Sequence, residues 1–528
     1  MNKSNYDRYS NIENRLNQIW TILDSELPEL KEVNQKIDFL TTESDKTNLL
    51  LFFILTLYYP NREQLSVFHA KLKVNSIETI IQEYYYSGDV LFKSKNNEIL
   101  FDVTETSMAV YNTGIQRVTR KIYGAINEKV TGYRWNNRLQ PIEISEPLKE
   151  NLVNWSPGSN KIPKEEVNYI KIQDYYLQKN LFTNTVFYIN MKRKNSKKFY
   201  DIQERPKYQF ALKLMAAVFP AKVVARNEVI FLWNSTILIT ELFHLNPNIS
   251  QIYQNLSRLK LVKLNVLVHD VIPFSEPEFV GGGTISGYVH YFHILNDCNL
   301  IFVPTQFIRE QLTKQMIGFG FVVPRIEVVP LSGDFINIDD LKEPDRTYEK
   351  SRNVVMLGSL DPRKNQTNMM VALLIAQRRM RIPIVLNIIA GGEWLSSEIR
   401  NTVKLLSTNG IKVNLRISVS DFEIAEIFKN SEFLMFCSYS EGFGLPIAEG
   451  SKFGLPVITT EKSSMEEVTR LFSNRYLLTN SRSLADISNK LEMAFMGQWE
   501  IGAPKFATRT WENVAEEVLK LLRENTDF

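Results

Sequence analysis

Two carboxylates, Glu441 and Glu449, stand with seven residues between them in the stretch SEGFGLPIAEG, which also holds Gly442, Gly444 and Pro446. The runs Phe433 to Cys437 and Val457 to Thr460 flank it and read as strands buried on both faces. Gly442 and Gly444 mark a turn in which the backbone can approach a ligand closely, and Pro446 suits the first position of a helix. Gly454 followed by Pro456 ends that helix. The unit is strand, glycine loop, helix, strand: one βαβ crossover. In such sheets ligands bind at the carboxyl ends of the strands, and a helix start favours an anion there. Two acids beside an anion site make chemical sense if they accept hydrogen bonds from hydroxyls on a phosphorylated ligand. A nucleotide sugar has both parts. The plain alternative is a surface loop with one solvated and one helix-stabilising glutamate.

Other groups extend this chemistry. Lys364 follows the turn LDPR after a strand, where its ammonium can reach a diphosphate leaving group and stabilise the charge that builds as the group departs. His269 and Asp270 end another strand, at the level where a loop faces a cleft. His290 and His293, three apart in HYFHILND, can share a helix face, but with no cysteine pair or third ligand they make a weak metal site. No Asp-x-Asp follows a strand, and Asp339 and Asp340 fall in a polar linker. No metal and no cofactor is therefore expected at the phosphate site.

These residues need a scaffold. At 528 residues the chain is too long for one core and suggests two or three domains. A net charge of +3 argues against a nucleic-acid partner held by bulk charge. Cys298 and Cys437 lie in apolar surroundings and give no disulfide framework. There is no basic-then-apolar leader, and the longest apolar run, LLLFFILTLYY at 49–59, is too short to span a bilayer. That run reads as a buried helix, with peripheral membrane contact as the alternative. The chain reads as cytoplasmic, the inner membrane face being the other location that such contact would give.

Residues 1–95 form a helical extension. Ile12, Leu16, Ile19, Leu23, Leu30, Val33, Ile37 and Leu40 make a heptad-like seam, with Glu26 as a gap and Pro28 as a kink. The seam either pairs with another copy, giving a homo-oligomer, or packs on this chain's own body. From 97 the pattern is α/β. Strands are expected in EILFDVT, TVFYIN (185–190), VIFLW (229–233), LNVLVHD (264–270) and LIFVPT (300–305), with a helix opened by Thr113 and Gly114 and another capped by Thr305. A second set begins near 352 with NVVMLGS, IVLNIIAGG, KVNLRIS, EFLMFCS and PVITT, after a polar linker at 331–351. Strands alternating with helices in both halves imply two doubly wound domains with a ligand cleft between them.

The second half resembles the retaining glycosyltransferases of family 4, which have the two-domain GT-B fold. GSLDPRKN (358–365) looks like that family's phosphate loop, GGEW (391–394) like a later glycine turn, and SEGFGLPIAEG carries the acid pair. LPVITTEKSSMEEV follows, with Glu466 where the family commonly has proline, and TWENVAEEVLKLL (510–522) is similar to the closing helix. In the first half TGIQRV (113–118) and VHDVIPFSEPEF (268–279) are similar to segments of members that build bacterial surface polysaccharides. The resemblance implies an acceptor domain over 96–335, a nucleotide-sugar donor domain over 336–505 and a helix at 506–528 that returns to the first domain.

It also implies roles. Glu449 accepts from the ribose, and Glu441 faces the sugar hydroxyls, with the N–H groups of Phe443 and Gly444 near sugar and phosphate and Gly442 and Leu445 in the same donor loop. The family often has arginine where Ser359 stands, so Arg363 or Lys364 supplies the charge. His269 lies near the reacting sugar, donating to a hydroxyl or offering its carbonyl to the developing positive centre. His269, Glu441 and Lys364 are the catalytic candidates, and Gly114, Arg117 and Asp270 line the acceptor side.

The expected activity is retaining transfer of a hexose or deoxyhexose from a nucleotide-diphosphate sugar to a glycan or glycolipid in bacterial polysaccharide or glycoconjugate synthesis. A glycoside hydrolase needs acids flanking the scissile bond, whereas Glu441 and Glu449 share one loop and helix. The alternative of another class is a catalytically weak nucleotide- or glycan-binding partner in a glycosyltransferase complex.

Overall fold

The apolar run at 49–59 folds into the helix Asp45–Thr56, and Leu49 to Leu55 are at most 1% exposed. It is a buried helix. The computed structural model describes residues 3–42, 44–86, 90–95, 98–109, 112–136, 139–155, 228–242, 247–336, 352–391, 396–417 and 419–525. The strand expected at 185–190 lies outside them, as do most of the GGEW turn and of the polar linker. Among the described residues no helix is long and apolar enough to cross a membrane.

The chain divides into two compact units. The first contains Met1–Asn96, Tyr133–Lys149 and Lys161–Trp233, of which 228–233 are described in the last segment. Its helices are Lys3–Ile22, Val33–Leu40, Asp45–Thr56, Arg62–Val74 and Ile77–Tyr84. The seam residues Ile12, Leu16, Ile19, Leu23, Ile37 and Leu40 are at most 3% exposed, and Lys3–Ile22 packs on Asp45–Thr56. Of the two readings of the seam, this is the one in which it packs on its own chain. Buried Arg15 donates to the carbonyls of Ile54 at 2.8 Å and Tyr86 at 2.7 Å, meeting the free carbonyl end of Asp45–Thr56 with a cation. Strands Leu91–Ser94 (β1) and Glu228–Phe231 (β5) pair in parallel, and Phe53 packs against Phe92 at 5.3 Å and Phe231 at 5.8 Å. The strand VIFLW thus belongs to this small sheet. Thr131–Trp135 (β3) pairs antiparallel with Pro141–Glu143 (β4) through Tyr133 to Trp135.

The second unit holds Asn97–Gly132, Glu150–Asn160 and Asn234–Phe528 and is built on two sheets. In the first, Ile99–Asp102 (β2), Ser235–Ile239 (β6), Val262–Leu267 (β7), Leu300–Val303 (β8) and Arg325–Val328 (β9) lie in that spatial order, all parallel. In the second, Arg352–Leu357 (β10), Ile384–Ala390 (β11), Lys412–Ile417 (β12), Phe433–Phe436 (β13), Val457–Thr460 (β14), Arg475–Thr479 (β15) and Glu500–Ile501 (β16) take the order β12-β11-β10-β13-β14-β15-β16. Only the β15–β16 pair is antiparallel there.

The order reverses between β10 and β13, so the loops that follow these neighbours diverge and open a crevice at their carboxyl ends. β13 and β14 are buried along their whole length, which accounts for the unbroken apolar run FLMF of β13, while Thr459 and Thr460 of β14 donate to the carbonyls of Phe436 and Ser438. The terminal helix Trp511–Glu524 starts on a capping box of Thr510 and Asn513 and packs on the helix Gly114–Ile126 of the first sheet's layer. Arg509 fixes that return by donating to the Pro330 carbonyl at 2.7 Å.

Candidate functional site

Glu441 lies in the loop after β13, at the reversal of strand order. That loop closes at Gly444, whose φ of +93° is a left-handed value that glycine adopts without strain, and the helix Leu445–Ser451 begins there with Pro446 in its first turn. Facing it is the loop after β10. Asp361 accepts from the Arg363 N–H at 2.9 Å and shapes a tight turn, Pro362–Lys364. Asn365 leaves the turn at φ +59°, and its side-chain amide donates to the carbonyls of Cys437 at 3.0 Å and Ser481 at 2.9 Å. The turn is thereby tied to the end of β13.

This geometry sets both cations on Glu441. Lys364 Nζ pairs with Oε1, and the Arg363 guanidinium lies 3.0 Å from Oε2. Arg363 also donates to the Ser440 carbonyl. Burial alone would push the carboxyl up, but Lys364 and Arg363 overcome it and bring Glu441 down to about 2. Two cations thus meet one carboxylate at the crevice. Behind it, Lys364 Nζ stands 5.4 Å from the Phe436 ring centre.

Glu449 is 3% exposed on Leu445–Ser451, and its partner is Arg117, 2.8 Å away on Gly114–Ile126. The same guanidinium reaches Asp421 at 3.4 Å and lies over the Phe335 ring at 5.3 Å. Burial raises the Glu449 pKa, Asp421 adds to the rise, and Arg117 opposes it. Gly333 makes this corner possible: a Cβ there would sit 2.2 Å from the Ala448 carbonyl.

His269 ends the strand region of β7 and is half-buried, with Nε2–H donating to the Thr240 carbonyl at 2.7 Å. Burial lowers its pKa despite that bond and nearby Asp270, so the ring is held neutral. Its carbonyl faces the second sheet's loop, where a Cβ on Gly442 would lie 2.0 Å from His269 O. Gly442 was expected to admit a ligand; what it admits in the structure is the His269 backbone. Asp270 accepts from Ile272 N–H at 3.1 Å, and burial raises its pKa while Arg363 opposes the rise. Gly114 opens its helix against Leu445, 3.8 Å from where a Cβ would be.

The remaining residues expected in a donor loop divide by role in the packing. The Ser359 carbonyl accepts from Gln366 at 2.6 Å, and the Phe443 ring is buried against Phe472 at 5.8 Å. His290 and His293 are exposed, and among the described residues no three His, Cys, Asp or Glu side chains form a group that could hold a metal ion. Sequence reasoning missed Asp421, Thr240 and Gly333. Gly333 alone carried a signal, a lone glycine after β9, but it was read as part of a linker.

Two Rossmann-like α/β domains that meet at the carboxyl ends of their strands make a GT-B architecture, as the sequence led one to expect. Residues 337–499 match the family described as "Glycosyl transferases group 1". The chain is 23% identical over 337 residues to the "Serotype-specific mannosyltransferase WbdA" of Escherichia coli, a match covering 60% of this chain and 40% of that protein. It is 25% identical over 211 residues to the "O-antigen chain mannosyltransferase B" of Escherichia coli, covering 38% of this chain and 53% of that one. The chain thus spans well under two thirds of the curated relatives it matches. A sucrose-phosphate synthase from Thermosynechococcus elongatus aligns with a TM-score of 0.44 at 14% identity, over 82% of this chain and 96% of that one.

Proposed function

We propose that this chain is a glycosyltransferase that moves a hexose or deoxyhexose from a nucleotide-diphosphate sugar to a saccharide acceptor, with retention at the anomeric carbon. One observation carries the reading: Lys364 and Arg363 converge on Glu441 at the strand-order reversal, directly across from the His269 backbone. A cationic site there suits a leaving diphosphate, and an ionised carboxylate beside it suits sugar hydroxyls. The bond from the anomeric carbon to the diphosphate oxygen breaks, a bond to an acceptor hydroxyl oxygen forms, and the hydroxyl proton leaves with the diphosphate. His269 O faces the sugar from the opposite domain, and Glu449 accepts from the ribose once Arg117 turns toward the diphosphate. The names of the Escherichia coli relatives favour a mannosyl donor and a bacterial polysaccharide as acceptor.

The test is a thermal-shift screen of GDP-, UDP- and dTDP-sugars against the full chain, since a ligand of the folded state raises the melting temperature. At least one of them should do so, and the rise should be lost in Lys364→Ala. Indifference to the whole panel would remove the donor site.

A further inference from the structure

The helix Gln306–Gly318, which follows β8, has no acidic residue in its first turn, yet its leading N–H groups are met. The Thr305 hydroxyl accepts from the Ile308 N–H at 3.2 Å. The other two go to Glu467: the Gln306 N–H donates to Oε1 at 2.7 Å and the Phe307 N–H to Oε2 at 2.9 Å. That carboxylate comes from the other α/β domain, on the helix Ser464–Phe472 after β14. A helix start carries partial positive charge on its unpaired amides, so a carboxylate held on two of them is a charge-assisted contact. We infer that Glu467 is a positioning residue, which clamps the His269 domain to the Glu441 loop and so sets the gap across which the sugar moves; for the reaction it serves, this rests on the transferase reading above.

A short run of bonds leads from the clamp to each side of the gap. Ser464, one turn before Glu467 on the same helix, donates to the Glu441 carbonyl. Across the boundary, the clamped helix leaves β8, and β8 holds the end of β7: the Val268 N–H, next to His269, donates to the Phe302 carbonyl at 2.9 Å. The Thr305 hydroxyl adds a longer bond to the Gly442 carbonyl at 3.4 Å. Glu441 and the His269 carbonyl, the two groups assigned to face the sugar, are thus linked through a side chain that touches neither.

The neighbouring acid has a different task. Glu466 pairs with Arg470 at 2.9 Å and accepts from the Lys462 N–H at 2.6 Å, both within its own domain. It carries the same charge at the same helix end without reaching the other domain. Phe307 and Ile308 on one side of the clamp, and Ser463 and Ser464 on the other, line a cavity of about 460 Å³ that Glu441 also lines. A loosened clamp admits water there, where it competes with the acceptor hydroxyl. The water oxygen then bonds to the anomeric carbon, the bond to the diphosphate oxygen breaks, and the proton leaves with the diphosphate.

Hydrogen–deuterium exchange of the Gln306 and Phe307 amides on the full chain reads the clamp without any substrate. Both should exchange at least about tenfold faster in Glu467→Ala, less so in Glu467→Gln, and unchanged in Glu466→Ala. Turnover is followed beside it with GDP-mannose, UDP-glucose and dTDP-rhamnose, with and without α-mannotriose. Glu467→Ala should slow transfer at least about tenfold, because misplaced reacting groups lose much of their rate, and should raise the share of donor lost to water. Affinity for GDP and UDP should be unchanged, which also shows that the variant has folded; if it has not, Glu467→Gln carries the test. Amides that exchange no faster in the variants overturn the clamp, and so does faster exchange with rate and partition unaltered. Faster exchange in a chain that turns over none of the donors upholds the clamp and removes the transferase reading instead.

Discussion

The Arg117 guanidinium lies 2.8 Å from the Glu449 carboxylate, joining the helix Gly114–Ile126 to the helix after β13 across the crevice. Both partners are largely removed from water, so the pair resists screening, and it does not stand alone: Asp421 competes for the same cation. Removing Arg117 leaves two acids facing each other, one of them buried. Arg117→Ala is therefore expected to destabilise the fold by about 3 kcal/mol, the scale for breaking a buried pair. Urea unfolding reads it. The loss should shrink in mild acid, because Glu449, whose pKa burial already raises, then takes up a proton and sheds its charge.

Glu441 responds to acid in the opposite sense. Its folded pKa of about 2 lies below the ordinary 4.5, so the unfolded chain binds the proton more readily. The stability it contributes is complete above about pH 4.5 and is lost as the pH falls toward about 2. Unfolding midpoints followed through this window should fall more gently in Lys364→Met than in the parent chain, because one of the two opposing cations is gone.

Gly442→Ala tests the contact between domains. The added methyl would lie 2.0 Å from the His269 carbonyl oxygen, backbone against backbone, with no flexible side chain to yield. Overpacking of this kind typically costs about 1–3 kcal/mol. The variant should lower the melting temperature and slow turnover, while nucleotide diphosphate still binds to the second domain by calorimetry.

His269→Ala separates sugar chemistry from nucleotide binding. Nucleotide affinity should be nearly unchanged and turnover should fall by less than about a hundredfold, the scale for losing a group on the reacting sugar itself, because the variant keeps the His269 carbonyl and loses only the ring's 2.7 Å bond to the Thr240 carbonyl that holds that backbone in place. Because burial lowers the His269 pKa, the rate profile of the parent chain should show no titration at the ordinary histidine value of 6.5.

Much of this was legible before any coordinates. The runs of β10, β11, β13 and β14, rich in apolar residues without strict alternation, announced a buried parallel sheet, and the glycines and Pro446 announced the loop and helix between the last two. β6, β9 and β15 were not seen, because STILI, RIEV and RYLLT mix polar residues into short strands that tertiary pairing stabilises. VIFLW was recognised as a strand but lies in the small β1–β5 sheet, since local pattern does not specify a partner. In the site, spacing revealed Glu441, Glu449 and Lys364, which share contiguous motifs. It did not reveal that Arg117 would take Glu449 or that Lys364 and Arg363 would both take Glu441. Those pairings join segments that are distant in sequence, and only folding brings them together.

The central claim is that the positive site at Lys364 and Arg363 stabilises a leaving diphosphate without a metal. Release of nucleotide diphosphate from a labelled donor, with a saccharide acceptor and excess EDTA, measures it directly. The account predicts turnover that survives the chelator and falls by about a hundredfold or more in Lys364→Ala, the scale for losing one preorganised charge. Turnover abolished by EDTA and restored by Mg²⁺ or Mn²⁺, or unchanged in Lys364→Ala, would contradict it.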